Sequence, residues 1–300
     1  MTATTILLYG RSNSGKSSQL GVLAEDVFKR TGKRTRIYLT DRGGYDPIRP
    51  YTDLGIIEIV ELGNTPVLLF MHKASRGYTR DGMGKWVLDK AANEKVGAYA
   101  YESAHSMAKC IQQEMNEKAG KGIILGGDAN TSFDVQGDGE TIRIGAQKGY
   151  GKFAIPQDRI YAEMLESQKL DAEYVVWTCG VSKEDDDVSA NKIIGPDVIG
   201  RALTGVLSME YNYTFRLDVL PAKDGKSERH LLYLGTTADV NAGNATALGN
   251  IRRPLDAAPL TATVIEPANI VTALQMVRND AVKAATDTIK KRLTAAGVKL

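Results

Sequence analysis

Cysteine is scarce in this chain, with only Cys110 and Cys179 in 300 residues. They stand at no metal-ligand spacing and suggest no disulfide framework. That excludes a zinc ribbon or a stapled secreted scaffold and points to a reducing cytoplasm. Long apolar runs are missing too. None approaches the roughly 20 residues that cross a bilayer, so no membrane partner is expected. No secretory leader is expected either, because the first strand begins by Thr5. An excess of one charge is also lacking: 38 Lys and Arg against 36 Asp and Glu leave a formal net charge of +2. The whole-molecule field therefore gives no argument for nucleic acid. Between Arg252 and Leu300, however, eight basic residues meet four acidic ones, so this end carries +4 and the remainder −2. The rest is ordinary: 43% hydrophobic and 25% charged residues, enough core for one large α/β domain with an appendage.

Against that background one motif stands out. Gly10 to Ser17 reads GRSNSGKS, a complete G-x-x-x-x-G-K-[ST] phosphate loop. It follows the apolar strand candidate Thr5–Tyr9 and opens a helix running to about Thr31. The spacing has a physical reason. Glycines let the backbone wrap phosphate oxygens and aim N–H groups inward, a lysine reaches the β- and γ-phosphates, and a hydroxyl ligates Mg²⁺. Gly10, Ser12, Asn13, Ser14, Gly15, Lys16, Ser17 and Ser18 are thus the candidate contacts to a nucleoside triphosphate, with Ser17 on the metal.

Strands are expected at 36–40, 56–60, 96–101 and 174–178, and helices near 86–94, 104–118 and 160–168. Residues 213–219 and 231–234 look like antiparallel strands closing the sheet. A hairpin is expected around Thr141–Ile144, inside a Gly-rich insertion at about 120–152. Alternating strands and helices imply a mostly parallel, twisted sheet covered on both faces, with ligands at the carboxyl ends of the strands. The loop, Asp41, Glu102 and Thr178 all fall at such ends. Residues 1–240 form the expected core and the Pro-containing 241–267 reads as a linker. In 268–300, Ile270, Leu274, Val277, Ala281, Ala285, Ile289 and Leu293 make one apolar stripe on a terminal helix.

Several short stretches carry a family likeness. Asp46-Pro47-Ile48 follows the second strand, VGAYAYES ends in Glu102-Ser103, and YVVWT ends in Thr178. Residues 193–203 read IIGPDVIGRAL. With the phosphate loop, these make the chain resemble RecA-like P-loop ATPases. It is especially similar to bacteriophage-encoded members associated with recombination and single-strand annealing, over roughly Thr4 to Leu234. The resemblance implies a RecA-like core, with antiparallel strands at one end and a C-terminal helix. It further implies ATP with Mg²⁺, self-association as a ring or filament, and a host cytoplasm. In that family an Asp and a nearby tyrosine sandwich the adenine. Asp46 fits, while Arg49 stands at the tyrosine position with Tyr51 close by. Glu102 takes the place of the Walker B aspartate as second metal holder, with Asp128 as a rival. Thr178 becomes the γ-phosphate sensor, and Lys183 and Arg201 are candidate contacts to a neighbour's nucleotide. One departure matters: Arg42 stands where the family places its general-base glutamate, and a guanidinium accepts no proton. Asp41 or Glu102 then does that work, or hydrolysis is slow.

A single-stranded DNA partner wants basic loops with interleaved aromatics. Two stretches qualify, Arg76, Tyr78, Arg80 and Lys85, then Arg143, Lys148, Tyr150 and Lys152. The alternatives are a DNA-translocating or packaging motor, a small-molecule P-loop kinase, and a nucleotide-binding structural subunit without turnover.

Overall fold

The computed structural model describes residues 3–40, 42–120, 132–137, 140–145, 151–185, 192–198, 202–222, 227–235, 237–239, 245–252, 260 and 262–295. Strand β1 (Thr4–Gly10) sends Leu7 and Tyr9 into one core and Ile6 and Leu8 into the other, the period-2 signature of a strand buried on both faces. Helix α1 (Lys16–Thr31) ends at Gly32, whose positive φ lets its N–H return to the Phe28 carbonyl. Next come β2 (Arg34–Leu39), a 3-10 turn at Arg42–Gly44, α2 (Arg49–Asp53), β3 (Ile57–Glu61) and α3 (Val67–Ala74). A two-residue hairpin, β4 (Thr79–Arg80) with β5 (Trp86–Val87), leads to α4 (Lys90–Asn93), β6 (Val96–Glu102) and α5 (Ala104–Gly120). A second hairpin, β7 (Ser132–Gly137) with β8 (Glu140–Gly145), precedes α6 (Gly151–Ser167). Then follow β9 (Tyr174–Asp185), β10 (Lys192–Asp197), α7 (Ala202–Glu210), β11 (Tyr213–Pro221) and β12 (Glu228–Leu234). Short strands β13 (Thr237–Asp239), β14 (Ala245–Ala247), β15 (Asn250–Ile251) and β16 (Val264–Ile265) lead to α8 (Ile270–Leu274). A π turn at Gln275–Asp280 joins α8 to α9 (Ala281–Ala295).

The strands β3, β2, β6, β9, β1 and β11 lie side by side in that order, all parallel. Antiparallel β12 and β16 close one end, and β10 folds back on the far half of β9. One face is covered by side chains of α3, α5, α6 and α7, the other by α1 and α8. This is the expected α/β architecture, with both faces of a mostly parallel sheet dry. Tyr38, Tyr101 and Trp177 stack across β2, β6 and β9, with centroids 5.2 Å and then 4.2 Å apart. These rings hold three neighbouring strand ends in fixed register beneath the site.

Local features differ from these expectations or add to them. Residues 86–94 are not one helix. Trp86 instead packs its ring against Phe70 and beneath the Arg80 guanidinium, and helix starts only after Asp89, whose carboxylate caps Ala92 N–H. Packing of the large ring overrides the helical pattern. Helix α3 lies where no element is expected: it is eight residues long and buried at seven of them, too short an apolar run for periodicity alone to tell helix from strand. β11 and β12 are antiparallel to each other as expected, while β11 also runs parallel to β1 and antiparallel to β15. Finally, 241–267 is more than a connection, since β14, β15 and β16 each pair with the main sheet.

α3 and α6 are joined by a buried carboxylate. Glu163 accepts from Ser75 Oγ at 2.6 Å and Arg76 Nη1 at 2.8 Å, with His72 Nδ1 3.5 Å away. Burial alone pushes this carboxyl up. The bonds from His72, Ser75 and Arg76 and the Arg76 charge outweigh it and hold Glu163 at about 2, below the ordinary 4.5. A depressed folded value means stability that is complete above about pH 4.5 and lost as pH falls through 2. Glu163→Gln is therefore expected to be less stable than wild type in urea at pH 7, by on the order of 3 kcal/mol. The gap should shrink steadily below pH 4.5, whereas equal urea midpoints at pH 7 would contradict the assignment.

Candidate active site

The loop between β1 and α1 is shaped by two glycines. A Cβ on Gly10 would fall 2.4 Å from the Leu217 carbonyl oxygen of β11 and 2.6 Å from Ser14 Oγ, so only glycine lets the chain leave the sheet here. Gly15 caps α1 at φ 93, a left-handed conformation, and Asn13 is also left-handed at φ 62. No side chain caps α1 and no acidic residue lies in its first turn. The positive end of the helix dipole is thus left for an anion. Lys16 Nζ donates to the Gly10 and Arg11 carbonyls at 3.0 and 2.8 Å, arching over the loop it would share with phosphate. Ser14 Oγ is buried without a hydrogen-bond partner.

Glu102 ends β6, where its peptide to Ser103 is cis, and is only 4% exposed. Its Oε1 accepts from Ser17 Oγ at 3.2 Å and its Oε2 from Thr178 Oγ1 at 2.6 Å. Sheet register explains the meeting. Tyr101 pairs with Trp177, which sets Glu102 beside Thr178, and Thr178 in turn pairs with Leu8 two residues before the loop. Thr40 at the end of β2 donates from both its N–H and its hydroxyl to the Glu102 carbonyl. Gly44 gives the carboxylate room, because a Cβ there would lie 2.9 Å from Glu102 Cγ.

Above these groups opens a cavity of about 600 Å³. Gly10, Ser12, Asn13, Gly15, Lys16, Ser17 and Ser18 line it, as does Glu102; Thr178 touches it only through Glu102. Asp46 is exposed and does not line it, although its neighbour Pro47 does. Tyr51 packs instead on α1, where a Cβ on Gly21 would fall 2.3 Å from its ring. Asp41, Asp128, Lys148 and Arg201 lie outside the described residues. Lys183 sits on β9 opposite Ile194, Arg143 on β8 opposite Asp134, and Lys152 in α6. Of the first basic stretch, Arg76 is held by Glu163 and Arg80 lies 4.0 Å over the Trp86 ring. The Lys85 N–H donates to Asp81.

The cavity also gathers residues that sequence reasoning missed as site members: Gly43, Gly44, His105, Ser106, Asp197 and His230. Two carried a readable signal. His105 stands one helical turn after Glu102, and Asp197 lies inside the Gly-Pro-Asp stretch already singled out. His230 had none, since β12 reaches the loop only through the sheet, bringing its Nδ1 to 3.5 Å from the Ser14 carbonyl.

The donor set fits a hydrated divalent cation beside phosphate: a hydroxyl and a carboxylate already in contact, a free helix end, and a lysine. Thr178→Val keeps the shape of the side chain but removes a buried donor to Glu102. We expect a loss of about 2 kcal/mol in urea unfolding, and an unchanged midpoint would show that the contact holds nothing.

No protein-family model and no curated protein matches the chain. Among solved structures, it is similar to a KaiC-like protein from the hyperthermophilic archaeon Pyrococcus horikoshii OT3, with 12% identity and a TM-score of 0.40 over 81% of this chain and 83% of that one.

Proposed function

We propose that this chain is a RecA-like protein that binds ATP with Mg²⁺, hydrolyses it, and acts on single-stranded DNA in recombination or annealing. One observation carries the nucleotide part. The phosphate-loop hydroxyl of Ser17 is bonded to a buried carboxylate at the end of the next-but-one parallel strand, and that carboxylate is bonded to Thr178 on the strand between. In such a site the loop backbone and Lys16 grip the triphosphate, while Ser17 and Glu102 would hold the metal. Bound Mg²⁺ supplies charge neutralisation across the β- and γ-phosphates. Thr178 is buried and bonded to Glu102, so it would register the γ-phosphate through that carboxylate.

The DNA part leans on the second basic stretch, Lys148 with Arg143 on β8 and Lys152 in α6. Arg76 and Arg80 are engaged inside the fold. Self-association, with Lys183 and Arg201 reaching a neighbour's nucleotide, belongs to the same proposal.

The test is the ATPase rate with and without single-stranded DNA, comparing wild type with Lys16→Ala. Wild type is expected to hydrolyse ATP faster when DNA is added, and the variant to lose on the order of 100-fold or more. No turnover and no binding of any nucleoside triphosphate by wild type would overturn the proposal. A rate indifferent to DNA would remove the DNA part alone.

A further inference from the structure

We propose that His105 is the general base for hydrolysis at this site and that Asp197 positions it, an inference that rests on the ATPase reading above. Among the described side chains lining the cavity, four can take a proton from water at neutral pH: Glu102, His105, Asp197 and His230. Glu102 is buried and each of its oxygens already accepts a hydroxyl, from Ser17 and from Thr178. Two of its lone pairs join the loop to the strand ends, and in the reading above the carboxylate would also hold the cation, which leaves it poorly placed to take a proton from attacking water. His230 approaches from β12 behind the loop, with Nδ1 against the Ser14 carbonyl. Its ring nitrogen is set against the loop backbone itself and away from the Glu102 strand end, with no acidic side chain among the described residues closer than 4.0 Å to orient it.

His105 and Asp197 lie on the Glu102 side. α5 carries His105 three residues beyond Glu102, and β10 sets Asp197 opposite Gly180, two residues beyond Thr178. His105 Nδ1 and Asp197 Oδ2 are 2.9 Å apart. Nδ1 is shut off from solvent and meets no hydrogen-bond acceptor in line, so Asp197 is off axis but the nearest acid. Catalytic hydrogen bonds in ligand-free sites are commonly misaligned in this way and tighten when substrate enters. A carboxylate on Nδ1 selects the tautomer with the proton there and leaves the Nε2 lone pair as the acceptor. The ring is about one-third exposed and lines the cavity, so water can reach it. The charged and titratable groups sharing this space are Asp197 from β10, Glu102 from β6, Arg11 and Lys16 from the loop, and His230 from β12.

The step is a simple displacement. Water oxygen bonds to the γ-phosphorus as one water proton passes to His105 Nε2. The bond from that phosphorus to the β–γ bridging oxygen breaks, leaving ADP and inorganic phosphate, and the imidazolium returns its proton to solvent.

Single-turnover ATP hydrolysis between pH 5.5 and 8.5, beside binding of a fluorescent ATP analogue, tests this in wild type, His105→Gln, Asp197→Asn and Asp197→Glu. The variants are expected to bind the analogue within about threefold of wild type. His105→Gln should hydrolyse on the order of 100-fold more slowly and lose the rise of rate with pH that wild type shows. Asp197→Asn should hydrolyse on the order of 10-fold more slowly with binding kept, and Asp197→Glu, which restores a carboxylate, should recover much of that rate. Should His105→Gln fail to bind nucleotide, the Asp197→Asn and Asp197→Glu rates decide alone. Wild-type hydrolysis by His105→Gln or by Asp197→Asn, or no recovery in Asp197→Glu, would overturn the proposal. So would a wild type that binds ATP without hydrolysing it, although the nucleotide site would then stand. A wild type that binds no ATP would remove both.

Discussion

The site turns on one buried carboxylate. Glu102 is 4% exposed, and desolvating a carboxylate that deeply is costly unless its oxygens are satisfied. Here Ser17 and Thr178 satisfy them, and Gly44 leaves the space that the Cγ occupies. The arrangement ties the phosphate loop to β6 and β9 at once. The Ser17 hydroxyl donates to Glu102, and in the proposed reading it would turn to the cation that accompanies the nucleotide. Exchange of one hydroxyl contact is a small local event, yet it lies on a carboxylate that three adjacent strand ends converge upon.

Rigidity beneath that junction comes from the sheet. Parallel β2, β6, β9 and β1 bury both faces, so a one-residue slip of any strand would turn its inward side chains to the other core. The stack of Tyr38, Tyr101 and Trp177 opposes such a slip on one face. Ile37, Ala100 and Val176 do so on the other. Trp177 is further fixed by its indole N–H donating to Ser167, and Tyr101 by its hydroxyl donating to Ala74. Glu102 and Thr178 each follow one of these rings by a single residue, so their separation is set by packing rather than by flexible loops.

Much of this was legible in the sequence where a local rule operates. The phosphate loop needs its glycines, lysine and serine at fixed spacing, and it stood between an apolar strand and an amphipathic helix. Glu102 and Thr178 were readable as polar residues closing apolar runs. What escaped had no local signal or a misleading one. α3 is a short, almost wholly buried run whose length cannot tell helix from strand, and Trp86 belongs to a hairpin because Phe70 and Arg80 enclose its ring. Tyr51 had an aromatic's credentials for stacking on a base, but the bare backbone of Gly21 gives its ring a seat on α1. His105, Asp197 and His230 reach one cavity from three elements far apart in the chain, and only register brings them together.

The central claim is that Glu102 couples the phosphate loop to the cation that accompanies the nucleotide. Calorimetric titration of ATP into wild type and Glu102→Gln, each with and without magnesium, addresses it directly. The account predicts that wild type binds ATP far more tightly with magnesium than without, and that this difference largely disappears in the variant. No heat of binding in wild type, or an undiminished magnesium effect in Glu102→Gln, would contradict it.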